Sequence, residues 1–153
     1  MDITINYEYG RDDVEPLPVE GLAEFVIAAE GKPANTEVSI SFVDDDEMAR
    51  LNEGYRGKRG PTDVLSFECD NLDDDFDAAA PEGVPYELGD VVIAVDVCKR
   101  QAPRYGNTFQ QEIELLLTHG LLHLCGYDHI EEDEAEAMEA RERALLGEWR
   151  SRS

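Results

Sequence analysis

The alternation of apolar and polar positions along the chain predicts short strands interleaved with amphipathic helices. Residues 2–7, DITINY, alternate with the period of a strand that buries one face. From Val19 to Glu30 the apolar residues Val19, Leu22, Phe25, Val26 and Ala29 fall at helical spacing, and Gly31 with Lys32-Pro33 ends the run. Val38, Ile40 and Phe42 alternate again as a second strand. Asp44 with Glu47 three residues on forms a capping box for a helix through about Asn52. The stretch GYRGKRGPTD then reads as a Gly- and Pro-rich basic loop, followed by a third strand from Val64 to Phe67. Residues 68–87 are acidic and aperiodic, which predicts a long exposed loop opened by Glu68. Leu88 to Val95, LGDVVIAV, is an apolar run suited to a buried strand. Asp96 is expected to cap a helix that ends near Tyr105-Gly106. Thr108 and Gln111 make another capping box, from which Ile113, Leu116, Leu117, Leu121 and Leu124 carry a helical stripe to Gly126. A last, acidic helix is expected from about Glu131 to Leu146. No repeat or linker divides the chain, so the pattern predicts one α/β domain over residues 1–153, a small sheet packed by several helices.

Length agrees with that reading, since 153 residues is the size of one domain and would bury about 70% of the unfolded surface. The N-terminus lacks the basic start and apolar stretch of a secretory signal. The longest nearly apolar run, Leu115 to Cys125, is too short for a membrane span, so a cytoplasmic protein without a membrane partner is expected. Three cysteines, Cys69, Cys98 and Cys125, suit reduced thiols better than a disulfide framework. Charge complicates the picture. Asp plus Glu total 36 against 13 Lys plus Arg, a net charge of −23, which by itself argues against a nucleic-acid partner. The same acidity would suit a salty cytoplasm, where self-repulsion is screened. The placement of the few cations therefore matters more than their sum. Arg56, Lys58 and Arg59 form one cluster; Lys99, Arg100 and Arg104 form another.

All three histidines lie in HGLLHLCGYDH, residues 119–129. His119 and His123 are four apart and share one helix face, the spacing by which two imidazoles chelate one metal. Gly126 can take the left-handed conformation that ends a helix, so that His129 swings back towards them. Three nitrogens with one open position is the catalytic form of a zinc site, in which a bound water becomes a usable nucleophile. The plainer alternative, hydrogen-bonded core histidines, accounts less well for the spacing. Cys125 reads as core rather than as a fourth ligand. Zinc peptidases carry Glu directly after the first histidine; here Gly120 stands there, which weighs against peptide hydrolysis. An arginine beside such a metal suits a phosphodiester, because its guanidinium binds phosphate through two parallel hydrogen bonds. For Lys58 and Arg59 a solvated turn is the equal alternative.

Arg56 in its Tyr-Arg-Gly context, the segments PTDVLSF (61–67) and LGDVVI (88–93), and the stretch ending Gly-Tyr-Asp-His occur in an order that resembles the YbeY family over nearly the whole chain. These are bacterial and organellar single-strand endoribonucleases. The resemblance implies metal-dependent cleavage in maturation of the 16S rRNA 3′ end and in ribosome quality control. Its implied partners are single-stranded ribosomal RNA and the small ribosomal subunit or its proteins. It implies His119, His123 and His129 as ligands of one Zn2+, with Ni2+ or another divalent ion open, and Arg56 as the catalytic arginine at the scissile phosphate. The implied fold is a single α/β (α+β) domain with a small central mixed sheet and a zincin-like metal helix. Two departures stand out: Glu68 where members often have Pro, and the extreme acidity. Attack by hydroxide or by the RNA 2′-OH are both open. Asp128 either orients an imidazole or bonds its own backbone in a turn, and Asp90 has the same ambiguity. Two other functions compete: a zinc hydrolase of a peptide or amide bond, and a non-catalytic ribosome-assembly factor whose acidic last helix binds basic proteins.

Overall fold

A computed structural model of the chain describes residues 1–68, 85–127 and 132–152. In chain order the elements are β1 (Asp2–Tyr7), α1 (Arg11–Val14), α2 (Val19–Ala29), β2 (Thr36–Val43), α3 (Asp45–Arg56), β3 (Val64–Glu68), β4 (Tyr86–Ala94), α4 (Val95–Gln101), α5 (Phe109–Leu124) and α6 (Glu132–Ser151). A 3-10 turn, Pro103–Tyr105, lies between α4 and α5. The sheet order is β1-β2-β4-β3. The first three run parallel, and β3 is antiparallel on the edge. The expected small mixed sheet is therefore present.

Strand alternation sends Val38, Ile40 and Phe42 of β2, with Val91 and Ile93 of β4, to one face. There they meet Leu22, Val26 and Ile27 of α2, Leu117, Leu121 and Leu122 of α5, and Met138 and Leu145 of α6. A smaller cluster on the other face, Val43, Met48, Leu65, Val92 and Ala94, lies under α3 with Leu51 and Phe67. Beyond α3 that face is polar: Asn6 Nδ2 donates to Ser39 Oγ at 3.3 Å and Ser41 Oγ at 3.2 Å. The core thus sits mainly between the sheet and α2, α5 and α6.

Several boundaries differ from the sequence expectation. Helix α3 does not stop at Asn52 but continues to Arg56, where Gly57 at φ 68° closes it. Asn52 is buried and donates through Nδ2 to Gly60 O at 2.8 Å, which folds the following loop back onto the helix. Arg56 therefore stands on a helical turn rather than within the loop. The N-cap of α4 is Ala94, not Asp96. Asp96 instead accepts from the Tyr9 hydroxyl at 2.8 Å. The expected continuous helix to Tyr105 breaks after Gln101, because Pro103 lacks the N–H that would continue it. Strand β4 opens at Tyr86, two residues earlier than its apolar run, paired with Thr36. Helix α6 extends past Leu146 to Ser151, and the short α1 has no counterpart in the expectation. Both capping boxes hold their first half, and at Thr108 both reciprocal bonds form. Residues 69–84, with Cys69, lie outside the described residues. Among the described residues no helix is long and apolar enough to cross a membrane.

Candidate active site

Helix α5 rests directly on the sheet at Gly120. A Cβ there would lie 2.8 Å from Val91 Cγ1 and 3.2 Å from Ser66 Oγ. The Ser66 hydroxyl donates to Gly120 O at 3.0 Å, tying β3 to the helix. Residue 120 therefore faces the sheet, and the lack of a side chain is what permits the approach. His119 and His123 emerge half-buried from the same turns of α5.

Both imidazoles are held through Nδ1. His119 Nδ1 lies 2.5 Å from Oε1 of Glu142, a buried carboxylate on α6. His123 Nδ1 donates to Tyr127 O at 2.9 Å. A carbonyl can only accept, so the Nδ1 of His123 carries the hydrogen and Nε2 the lone pair. The Glu142 carboxylate imposes the same tautomer on neutral His119. Its hydrogen bond raises the His119 pKa above the ordinary imidazole value, against the opposing effect of burial. A carboxylate or carbonyl behind each ring is the arrangement that orients metal-ligating histidines. The donor set fits a divalent transition metal: two imidazoles one turn apart, each held at Nδ1, so that Nε2 would be the nitrogen to coordinate it. Among the described residues no group of three donors forms. His129 and Asp128, the remaining candidates of this stretch, lie outside the described residues.

The chain turns after α5 as its glycine predicts. Gly126 has φ 107°, and Tyr127 N–H returns to Leu122 O at 3.1 Å, which brings the Tyr127 carbonyl onto His123. Cys125 is half-buried, and burial pushes its thiol up to about 11, which suits a core residue and not a thiolate ligand. At the start of β3, Asp63 accepts from Val64 N–H at 2.8 Å and from Gln101 Nε2 at 3.0 Å. The same Gln101 nitrogen reaches Glu112 Oε2 at 2.8 Å, so one amide links two carboxylates and anchors this end of the PTDVLSF segment to α5.

The two basic clusters part company. Lys99 Nζ is 2.6 Å from Asp13, and Arg100 is 3.0 Å from Asp45, so the second cluster is largely neutralised by the protein itself. Arg56, Lys58 and Arg59 are exposed and form no ion pair among the described residues. The Tyr55 ring packs on Phe67, with centroids 4.8 Å apart, and Ser66 beside it bonds Gly120. Arg56 and the histidines thus approach the edge strand β3 from opposite faces of the sheet. Asp90 also faces the α3 side, beside Ser39 in the open polar part of the sheet, and touches neither group.

Glu142 is the site residue that pattern reading missed. Its signal is present: Met138, Glu142, Leu145 and Trp149 follow helical spacing, so a glutamate interrupts the apolar stripe of an otherwise solvated acidic helix.

A family model described as "Endoribonuclease YbeY" matches residues 6–150. A protein of that name from Frankia alni is 42% identical over 153 residues, spanning 97% of this chain and 83% of its own. One from Geobacillus thermodenitrificans is 38% identical over 149 residues, covering 95% of this chain and 96% of its own. The solution structure of TM1509 from Thermotoga maritima is similar at a TM-score of 0.58 and 28% identity, over 98% of this chain and 93% of that one.

Proposed function

The chain belongs to the endoribonuclease YbeY family, and from that premise we propose that it is a metal-dependent nuclease of single-stranded ribosomal RNA, acting in the cytoplasm on the 3′ end of the small-subunit rRNA and in ribosome quality control. The observation that carries the reading is the pair of imidazoles one helical turn apart, each with Nδ1 engaged by Glu142 or Tyr127. Together with His129 they would hold one Zn2+ or a similar ion. Such an ion supplies Lewis acidity to the phosphate oxygens.

The chain's own residues do the rest. Glu142 fixes the His119 ring and offsets the charge that gathers beside it. The Tyr127 carbonyl fixes His123, and Gly120 keeps the helix close to β3. Arg56, with no carboxylate partner among the described residues, is available to grip the scissile phosphate through two parallel bonds and to stabilise the negative charge that grows there. Lys58 and Arg59 extend the same positive edge to neighbouring phosphates. In a chain of net charge −23, a cluster without ion pairs among the described residues is where RNA phosphate is attracted. No carboxylate at residue 120 accepts a proton, which sets the site apart from that of zinc peptidases.

The test is cleavage of a labelled single-stranded RNA carrying the small-subunit rRNA 3′ end, by chelator-stripped and zinc-reloaded protein. Cleavage should return with zinc and fall by about 10²-fold or more in Arg56→Ala. A folded His123→Ala protein that cleaves normally, or metal-free protein that does so, would overturn the proposal.

A further inference from the structure

A cavity of about 630 Å³ opens between the start of α5 and the end of α6, lined by Pro18, Gln111, Glu114, Trp149, Arg150 and Arg152 among others. That volume is within the range of sites that take nucleotide-sized ligands, roughly 300–1,000 Å³. Its wall is organised around the chain's single tryptophan. A Cβ on Gly21 would come 3.2 Å from the indole edge, so the glycine makes the notch in which Trp149 lies. Trp149 is half-buried and tilts against Phe25 with centroids 5.6 Å apart, and the Arg152 guanidinium sits over Phe25 at 4.9 Å.

The charges of the cavity do not cancel. Buried Glu114 accepts from Arg150 Nη2 at 3.2 Å and Nε at 3.3 Å, so that pair is internally balanced. Arg152 is exposed and has no carboxylate partner among the described residues. A second cavity of about 510 Å³ shares Gln111 and Arg150 with the first. It carries Arg143 on its rim and reaches Glu142, the partner of His119. The two meet at Gln111 and Arg150, and from Gln111 to His119 the helix rises only about 12 Å, a few nucleotides of strand. Glu139 lines the end nearer the histidine, so the attraction for an anion is concentrated at the Trp149 end.

We infer that the Trp149 end, the groove between the start of α5 and the end of α6, takes the single-stranded RNA flanking the scissile phosphate, with a base stacked on Trp149 and a phosphate on Arg152. An aromatic platform beside an exposed arginine holds single strands without reading their sequence. The inference rests on the nuclease reading above, but its test has a separate readout.

Trp149 is its own reporter. A short labelled RNA is titrated into the His123→Ala protein, following both anisotropy of the label and tryptophan emission. Emission should be quenched with the same midpoint as the anisotropy change. Trp149→Leu should weaken binding about tenfold. Arg152→Ala, an exposed change that leaves the fold alone, should flatten the slope of log affinity against log salt by about 0.7. RNA binding that leaves Trp149 emission unchanged would overturn the inference, as would an Arg152→Ala protein with the parent's affinity and salt slope. If zinc-loaded protein fails to cleave while these binding losses appear, the nuclease reading fails and the groove stands. If cleavage follows zinc while the groove variants bind as the parent does, the groove alone fails.

Discussion

Replacing Gly120 with alanine sets two opposing effects against each other. Alanine in a helix interior is favoured over glycine by about 0.8–1.0 kcal/mol. Its methyl group, however, would lie 2.8 Å from Val91 Cγ1 and 3.3 Å from Cγ2. Val91 is fully buried and β-branched, so it has little freedom to turn away. Overpacking of this kind costs about 1–3 kcal/mol, which leaves a net loss of about 1 kcal/mol. Gly147 of α6 is the control: it is helical, exposed, and a Cβ there meets nothing within 4 Å. Gly147→Ala should therefore gain about 1 kcal/mol, and the two variants should differ by about 2 kcal/mol. Urea unfolding of both against the parent measures the difference from the midpoints. Cleavage should also fall in Gly120→Ala alone, because lifting α5 off Val91 and Ser66 moves both imidazoles. If Gly120→Ala is as stable as Gly147→Ala, the close approach of α5 to the sheet is not what requires the glycine.

Glu142→Gln keeps the shape behind His119 but removes the charge, and should lower zinc affinity about 10–100-fold in competition with a chelator; an unchanged affinity would show that the carboxylate does not support the ligand. The Cys125 thiol, about 11 in the folded protein against an ordinary 9.0, stays protonated where the unfolded chain ionises. Stability should thus decline from about pH 9 to pH 11, and the Cys125→Ser protein should show a shallower decline over that window. If the acidity is an adaptation to salt, the melting temperature should climb steeply up to molar KCl, where screening acts within about 3 Å; a flat response would end that account.

Much of the fold was legible because local signals agreed with the tertiary outcome. The alternation of Val38, Ile40 and Phe42 and the box at Thr108 each describe a position whose packing and backbone want the same thing. The misreadings fall where a distant partner decided. Asp96 has the chemistry of a cap, but the Tyr9 hydroxyl claims it from another part of the chain. The glycines around Arg56 look like loop, yet the Asn52 bond to Gly60 lets helix α3 finish its last turn. Lys99 and Arg100 stand out in the sequence only as a basic cluster, and the structure shows Asp13 and Asp45 beside them. In the site, the spacing of His119 and His123 was visible, while Glu142 was hidden in a run of surface carboxylates more than twenty positions away. Its place in the apolar stripe of Met138, Leu145 and Trp149, and the burial that follows from it, distinguish it from them.

The division of the core by the sheet has a consequence for how the site comes apart. The histidines stand on α5, which packs in the large cluster with α2 and α6, whereas Arg56 stands on α3, which is held by the small cluster on the opposite face. Stability is not uniform across such a structure, and units with fewer buried apolar contacts open at lower free energy. The amides of α3 should accordingly exchange with solvent well before those of α5. An excursion of that kind would carry the arginine away and leave the imidazoles in register, so that the protein passes through a state competent to retain an ion but not to grip a phosphate.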